Sequence, residues 1–212
     1  MTGTPGRAVV ENEVRVCSAE ARSSLDLPSS IGRLAELAVE TLEWRGSVLP
    51  PVKLLGRHVV PVAELIPDAH AERLCFGSRP VLDRTEIATW VWPEMEGRVP
   101  PSAANLAGML APARHWRSAL TAAVPFSRFT SAAIIIPRSV TEGADFVSTC
   151  LIRARQFGIA VLSAEGEHVQ VELAGRSFDD VPPIEHTAVS RWVNEVVYEQ
   201  LLATEVPAPT AW

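Results

Sequence analysis

The chain has 212 residues, a formal charge of −6 and 47% hydrophobic residues, an ordinary composition for one soluble globular domain. Of its 19 basic residues, 18 are Arg and one is Lys53. Lys53 stands in Pro-Val-Lys-Leu-Leu without a Gly-rich turn, so a Lys-dependent phosphate loop is excluded and a Schiff-base lysine finds no favourable context.

No apolar run approaches the ~18 residues of a membrane span. Met1 to Gly6 carries no basic n-region. A cytoplasmic protein without a membrane partner is expected. Cys17, Cys75 and Cys150 have no C-x-x-C spacing and read as buried free thiols. The five His form no H-x-x-x-H pair. Charge is uneven: residues 112–176 hold 7 basic and 5 acidic groups, whereas residues 177–212 hold 1 and 6. The acidic total argues against a nonspecific nucleic-acid binder but leaves room for a local Arg patch.

Three regions are expected: an N-terminal arm over 1–28, an α/β domain over 29–176, and an acidic linker, amphipathic helix and Pro-rich tail over 177–212. In the arm, Ala8 to Cys17 alternates partly and suggests a strand or an extended segment. Ser29 or Ser30 caps a helix running to Trp44, with Ile31, Leu34, Leu37, Ala38 and Leu42 on one face. Val52 to Leu65 is strand-like, interrupted by Gly56 and Pro61. Arg73 to Phe76 reads as a short strand. Thr85 to Trp92 alternates as an exposed-face strand, which places Trp90, Trp92, Glu94 and Glu96 on one side. Ser102 caps a long Ala-rich helix from Ala103 to Leu120, kinked at Pro112.

A clean alternation follows. Ser131–Ile136 is an apolar strand and Thr141 to Phe157 a helix ended by Gly158. Ile159–Leu162 is a second buried strand, and Val169, Val171 and Leu173 mark a third. Two apolar strands around one helix imply a parallel pair with a right-handed crossover. Phe178 to Pro183 reads as an acidic linker. Thr187 to Ala203 is an amphipathic helix bearing Trp192, expected to pack on the same core.

No nucleophile elbow, zinc-protease helix or dinucleotide fingerprint is present. The chemistry-bearing feature is acidic: Glu64, Asp68, Glu72, Asp83, Glu86, Glu94 and Glu96 crowd around expected strands. Carboxylates on neighbouring strands hold a hard cation that activates water for phosphodiester cleavage. The order of elements resembles the PD-(D/E)XK restriction-endonuclease-like superfamily. Ala132 to Pro137 and Gly158 to Leu162 are similar to the second half of such domains. The resemblance implies a mixed central sheet flanked by helices. It implies Asp68, or alternatively Asp83, as the first acid, and Glu94 with Glu96 at the acid-x-Lys motif. Asp68 and Glu94 would then ligate Mg²⁺. Glu96 replaces the lysine of that motif.

Two function classes follow. The first is a non-catalytic interaction or scaffold protein on a degenerate nuclease-like fold. It acts through a protein partner or homo-oligomer, with Trp90, Trp92 and Trp192 as contact residues. The alternative is a metal-dependent nuclease using Asp68 or Asp83, Glu94 and Glu96, with Arg138, Arg153 and Arg155 touching DNA phosphates. A third class, a small-molecule enzyme with Arg138 and Ser163 at the strand ends, has no cofactor loop to support it.

Overall fold

A computed structural model describes residues 30–177 and 187–205. The expected N-terminal arm, acidic linker and Pro-rich tail lie outside these residues. The described chain is an α/β domain built on one mixed, strongly curled sheet of seven strands.

Helix α1 (Ile31–Leu42) is capped by Ser30, whose hydroxyl accepts the Arg33 N–H at 3.3 Å. It buries Ile31, Leu34, Ala35 and Ala38, the face its spacing predicts. Strands β1 (Ser47–Val48) and β2 (Val52–Leu54) both pair antiparallel with β3 (Arg57–Leu65). The expected break at Gly56 is a two-residue hairpin turn. Leu55 (φ 50°) and Gly56 (φ 75°) are both left-handed, as a type I′ turn requires.

Two expected strands are helices. Arg73 to Phe76 belongs to the end of α2 (Pro67–Cys75), which starts with Pro at its first position and Asp68 in its first turn. Thr85 to Trp92 holds α3 (Arg84–Thr89) and the turn after it. Asp83 caps this helix by accepting the Thr85 N–H at 2.8 Å, and Glu86 follows three residues later. That cap signature outweighs six residues of alternation, and it buries Ile87 together with Trp90.

The expected helix from Ala103 splits. Its first half is β4 (Ala104–Pro112) and its second is α4 (Trp116–Ala123). β4 pairs antiparallel with β3 and parallel with β5 (Ser131–Pro137), so it is a central strand. A strand buried on both faces reads as a continuous apolar run, which periodicity does not separate from a buried helix. β5 pairs parallel with β6 (Ala160–Glu165), as expected, and β7 (His168–Leu173) closes the edge antiparallel. Between β5 and β6 the chain forms a π-helical turn over Phe146–Leu151 and then α5 (Ile152–Phe157). Gly158 ends it at φ 66°.

The sheet separates two apolar layers. Leu110, Ala133, Ile135, Leu162 and Val169 face α1. Met109, Ile134, Ile136 and Val161 face the opposite layer, with α4, α5 and the C-terminal helix α6 (Ala188–Glu205). Thr187 accepts the Ser190 N–H at 3.1 Å at the start of α6. Trp192, Val193, Val196, Val197 and Leu201 enter this core, so α6 packs on the domain itself, as expected.

Candidate functional site

The acidic residues singled out in the sequence sit on separate short elements. Asp68 is exposed in the first turn of α2. Asp83 is spent as the cap of α3. Glu94 lies in a single helical turn, Pro93–Met95, and Glu96 follows it, both exposed. The strand expected to align Glu94 and Glu96 is not formed. Among the described residues no group of three or more His, Cys, Asp or Glu is placed to hold a metal ion. The acidic run in the sequence therefore disperses over helix starts and turns, where carboxylates favour exposed backbone N–H groups.

The three tryptophans also separate. Trp90 and Trp192 are buried, whereas Trp92 is 58% exposed. Helices α3 and α6 exchange cation–π contacts. The Arg84 guanidinium lies 3.8 Å from the Trp192 ring centre, and the Arg191 guanidinium 5.3 Å from that of Trp90. The Trp192 Nε1–H donates to the Leu82 carbonyl at 3.0 Å. Trp90 and Trp192 thus hold the domain together, which corrects their expected place on a contact face. Burial pushes the Arg191 pKa down, Glu195 opposes that shift, and Arg73 adds to it. The Arg191 Nη2 donates to the Pro100 carbonyl at 2.6 Å.

Beneath these pairs lies an ion pair that sequence reading misses. Arg73 Nη1 and Nη2 donate to Glu195 Oε1 and Oε2, each at 2.7 Å, with both side chains buried. Arg73 also donates to the carbonyls of Ser78, Arg79 and Pro101, and stacks 4.6 Å from the Tyr198 ring centre. The sequence holds one hint: Glu195 stands among Trp192, Val193, Val196 and Val197, where a purely amphipathic helix wants an apolar side chain.

The expected phosphate contacts differ among themselves. Arg138 hydrogen-bonds Gln170. Ser163 Oγ donates to Glu172 Oε1 at 2.6 Å, so both residues of the expected small-molecule site are engaged by β7 side chains. Arg153 and Arg155 are exposed on α5. Arg153 borders a groove of about 450 Å³ between α4 and α5, lined by Trp116, Leu120, Val124, Pro125 and Phe157. On the same helical run Val147 is 68%, Ile152 54% and Phe157 44% exposed. A π-helical turn within such a run often accompanies function. Sequence reading missed this groove because it places Trp116 and Leu120 on a different helix.

A second crevice, of about 470 Å³, opens at the carboxyl ends of β4 and β5, lined by His115, Ser118, Ser139 and Asp145 among others. Arg117 and Asp145 close across it at 2.6 Å. Cys150 is fully buried. Burial, and secondarily Asp145, push its pKa up to about 11. Cys75 is exposed, contrary to the expectation of a buried thiol. No helix among the described residues is long and apolar enough to cross a membrane.

No family model, no curated protein and no solved structure matches the chain.

Proposed function

We propose that the protein is a non-catalytic interaction module. It docks an acidic, apolar-anchored segment of a partner protein on the outer face of α4 and α5. The observation that carries this is the exposure of Phe157 on the groove lined by Trp116 and Leu120, with Val147 and Ile152 exposed on the same helical run. Exposed apolar clusters of this kind mark interaction sites more often than scattered single residues do. Charge supports the choice of partner. Arg153 and Arg155 have no acidic partner among the described residues, and the 112–176 segment is net positive in a chain of charge −6. An acidic segment is drawn to this face and repelled elsewhere.

Kinship with PD-(D/E)XK nucleases is the finer form of this proposal. It rests on the parallel β5 and β6 with their helical crossover. The dispersal of Asp68, Asp83, Glu94 and Glu96 favours a degenerate copy over a metal-dependent nuclease.

The test is a titration of the intact chain with a fluorescent, acidic amphipathic peptide bearing Leu and Phe anchors, read by anisotropy. Saturable binding is expected. It weakens with salt and is lost in Phe157→Ser and Arg153→Glu. Binding that neither substitution changes removes the face from consideration. Sedimentation of the same samples separates the other occupant: a dimer dissolved by Phe157→Ser assigns the groove to a second copy of the chain.

A further inference from the structure

The α1 side of the sheet carries a second feature, independent of the α4–α5 groove. Helix α1 lies over Leu110, Ile135, Leu162 and Val169 and ends at Leu42. Beyond it a cleft of about 800 Å³ crosses the sheet from β3 to β7. That size suits a ligand pocket. Its lining includes the small residues Ala107, Ser131, Ala160 and Gly175, with Trp44 at the α1 end.

One lining residue offers a hydroxyl to the cleft. Ser131 is 5% exposed, and it lines the cleft. It shares a strand face with Ala133 and Ile135, which point toward α1. No described residue hydrogen-bonds its hydroxyl, and among the described residues only Gln200 Oε1 is a fully buried side-chain polar atom without a partner, so the Ser131 hydroxyl is open to the cleft.

Charge is polarised along the cleft. Glu43, Arg45 and Glu64 line the β3 end, and Arg176 lines the β6 end, where its N–H donates to the Gly158 carbonyl at 2.8 Å. Glu64 Oε1 accepts from Asn105 Nδ2 at 2.9 Å, which leaves Oε2 available. Neither Arg45 nor Arg176 has an ion-pair partner among the described residues. β3 and β6 stand three strand spacings apart, about 14 Å. The side chains reaching in from both ends shorten that span to a few residues of extended chain, each roughly 3.5 Å.

We propose that this cleft binds a zwitterion, an amino acid or short peptide with free termini. The ammonium lies toward Glu43 and Glu64, the carboxylate toward Arg176, and the main chain over the Ser131 hydroxyl. A lone anion meets an end where two carboxylates outnumber Arg45, and a lone cation meets Arg176 at the other. Only a ligand with both charges matches both.

The experiment follows the Trp44 indole and Asn105 amide signals of the intact, ¹⁵N-labelled chain by NMR. The probes are glycine, triglycine, N-acetyltriglycine and triglycinamide. Triglycine is expected to shift both signals saturably. Blocking either terminus weakens binding about tenfold or more, the worth of one charge-assisted hydrogen bond. Arg176→Gln weakens triglycine but leaves triglycinamide unchanged, and this exposed substitution does not threaten folding. Ser131→Ala weakens triglycine without lowering the melting temperature. Glycine shifting the signals as strongly as triglycine assigns the site to an amino acid instead of a peptide. The proposal is overturned if no probe shifts the signals at roughly 10 mM, if blocked peptides bind as well as free ones, or if Arg176→Gln changes nothing.

Discussion

Arg73 and Glu195 meet in the interior as a two-pronged ion pair, 122 residues apart in the chain, with both hydrogen bonds at 2.7 Å. The Val81 N–H adds a third bond to the same carboxylate at 3.0 Å. The pair therefore ties α2, the loop after it and α6 at one point. Such pairs need every donor and acceptor satisfied, because desolvating two charges offsets most of their attraction. Here three carbonyls and the Tyr198 ring take up the remaining capacity of the guanidinium.

Removing one partner strands the other. Glu195→Gln or Arg73→Leu is expected to cost about 3–5 kcal/mol, read by urea denaturation. The double variant Arg73→Leu/Glu195→Leu is expected to be more stable than Arg73→Leu or Glu195→Leu alone. Equal or greater loss in the double variant contradicts the ion-pair account and points to packing alone.

Asp83 and Glu94 are both candidate ligands by sequence, yet they are predicted to behave differently. Asp83→Ala removes the cap of α3 and is expected to cost about 1 kcal/mol. Glu94→Ala and Glu96→Ala are expected to stay within roughly 0.5 kcal/mol of the parent, as exposed residues without partners do. Thermal melts with and without Mg²⁺ check this. A Mg²⁺-dependent rise in melting temperature that Glu94→Ala abolishes would restore the metal reading.

What the sequence discloses depends on how local the cause is. β5 and β6 are legible because Ile134–Ile136 and Ala160–Leu162 are short apolar runs bounded by turn residues, with a Gly-terminated helix between them. β4 is not, because Ala104–Pro112 owes its strand state to β3, paired 39 to 50 residues before it, and to β5, paired 23 residues after it. The acids around Asp68 and Glu94 looked like one cluster because the strand expected at Thr85–Trp92 drew them together. Once α3 forms, they part. The groove beside Phe157 and the cleft over Ser131 are assembled from elements far apart in sequence, so no spacing discloses them.

Close packing at Gly108 gives a third prediction. A Cβ there would lie 2.1 Å from Trp44 Cζ3 and 2.2 Å from Cε3, far inside van der Waals contact with the indole. Gly108→Ala is expected to cost about 1–3 kcal/mol, the usual range for overpacking. Trp44→Leu is expected to remove part of that cost, so the double variant is less destabilised than the sum of the two. Additive losses in a denaturation cycle would show that the indole does not limit the site.

The last prediction concerns alkaline pH. The Cys150 thiol is fully buried, and burial with Asp145 moves its pKa from 9.0 up to about 11. Between these values the unfolded chain loses the thiol proton while the folded chain keeps it. The unfolded state then binds fewer protons, so stability falls as pH rises through this window. The slope contributed by one group is at most about 1.4 kcal/mol per pH unit. Cys150→Val has no thiol to ionise, so its stability is expected to fall less than the parent's between about pH 9 and 11. Denaturation midpoints at pH 7.5, 9 and 10.5 measure the difference. At pH 7.5 a thiol reagent is expected to modify exposed Cys75 and to spare Cys150 until the chain unfolds. Parallel pH curves for parent and variant, or rapid labelling of Cys150 in the folded protein, would show that its thiol is not held in the core.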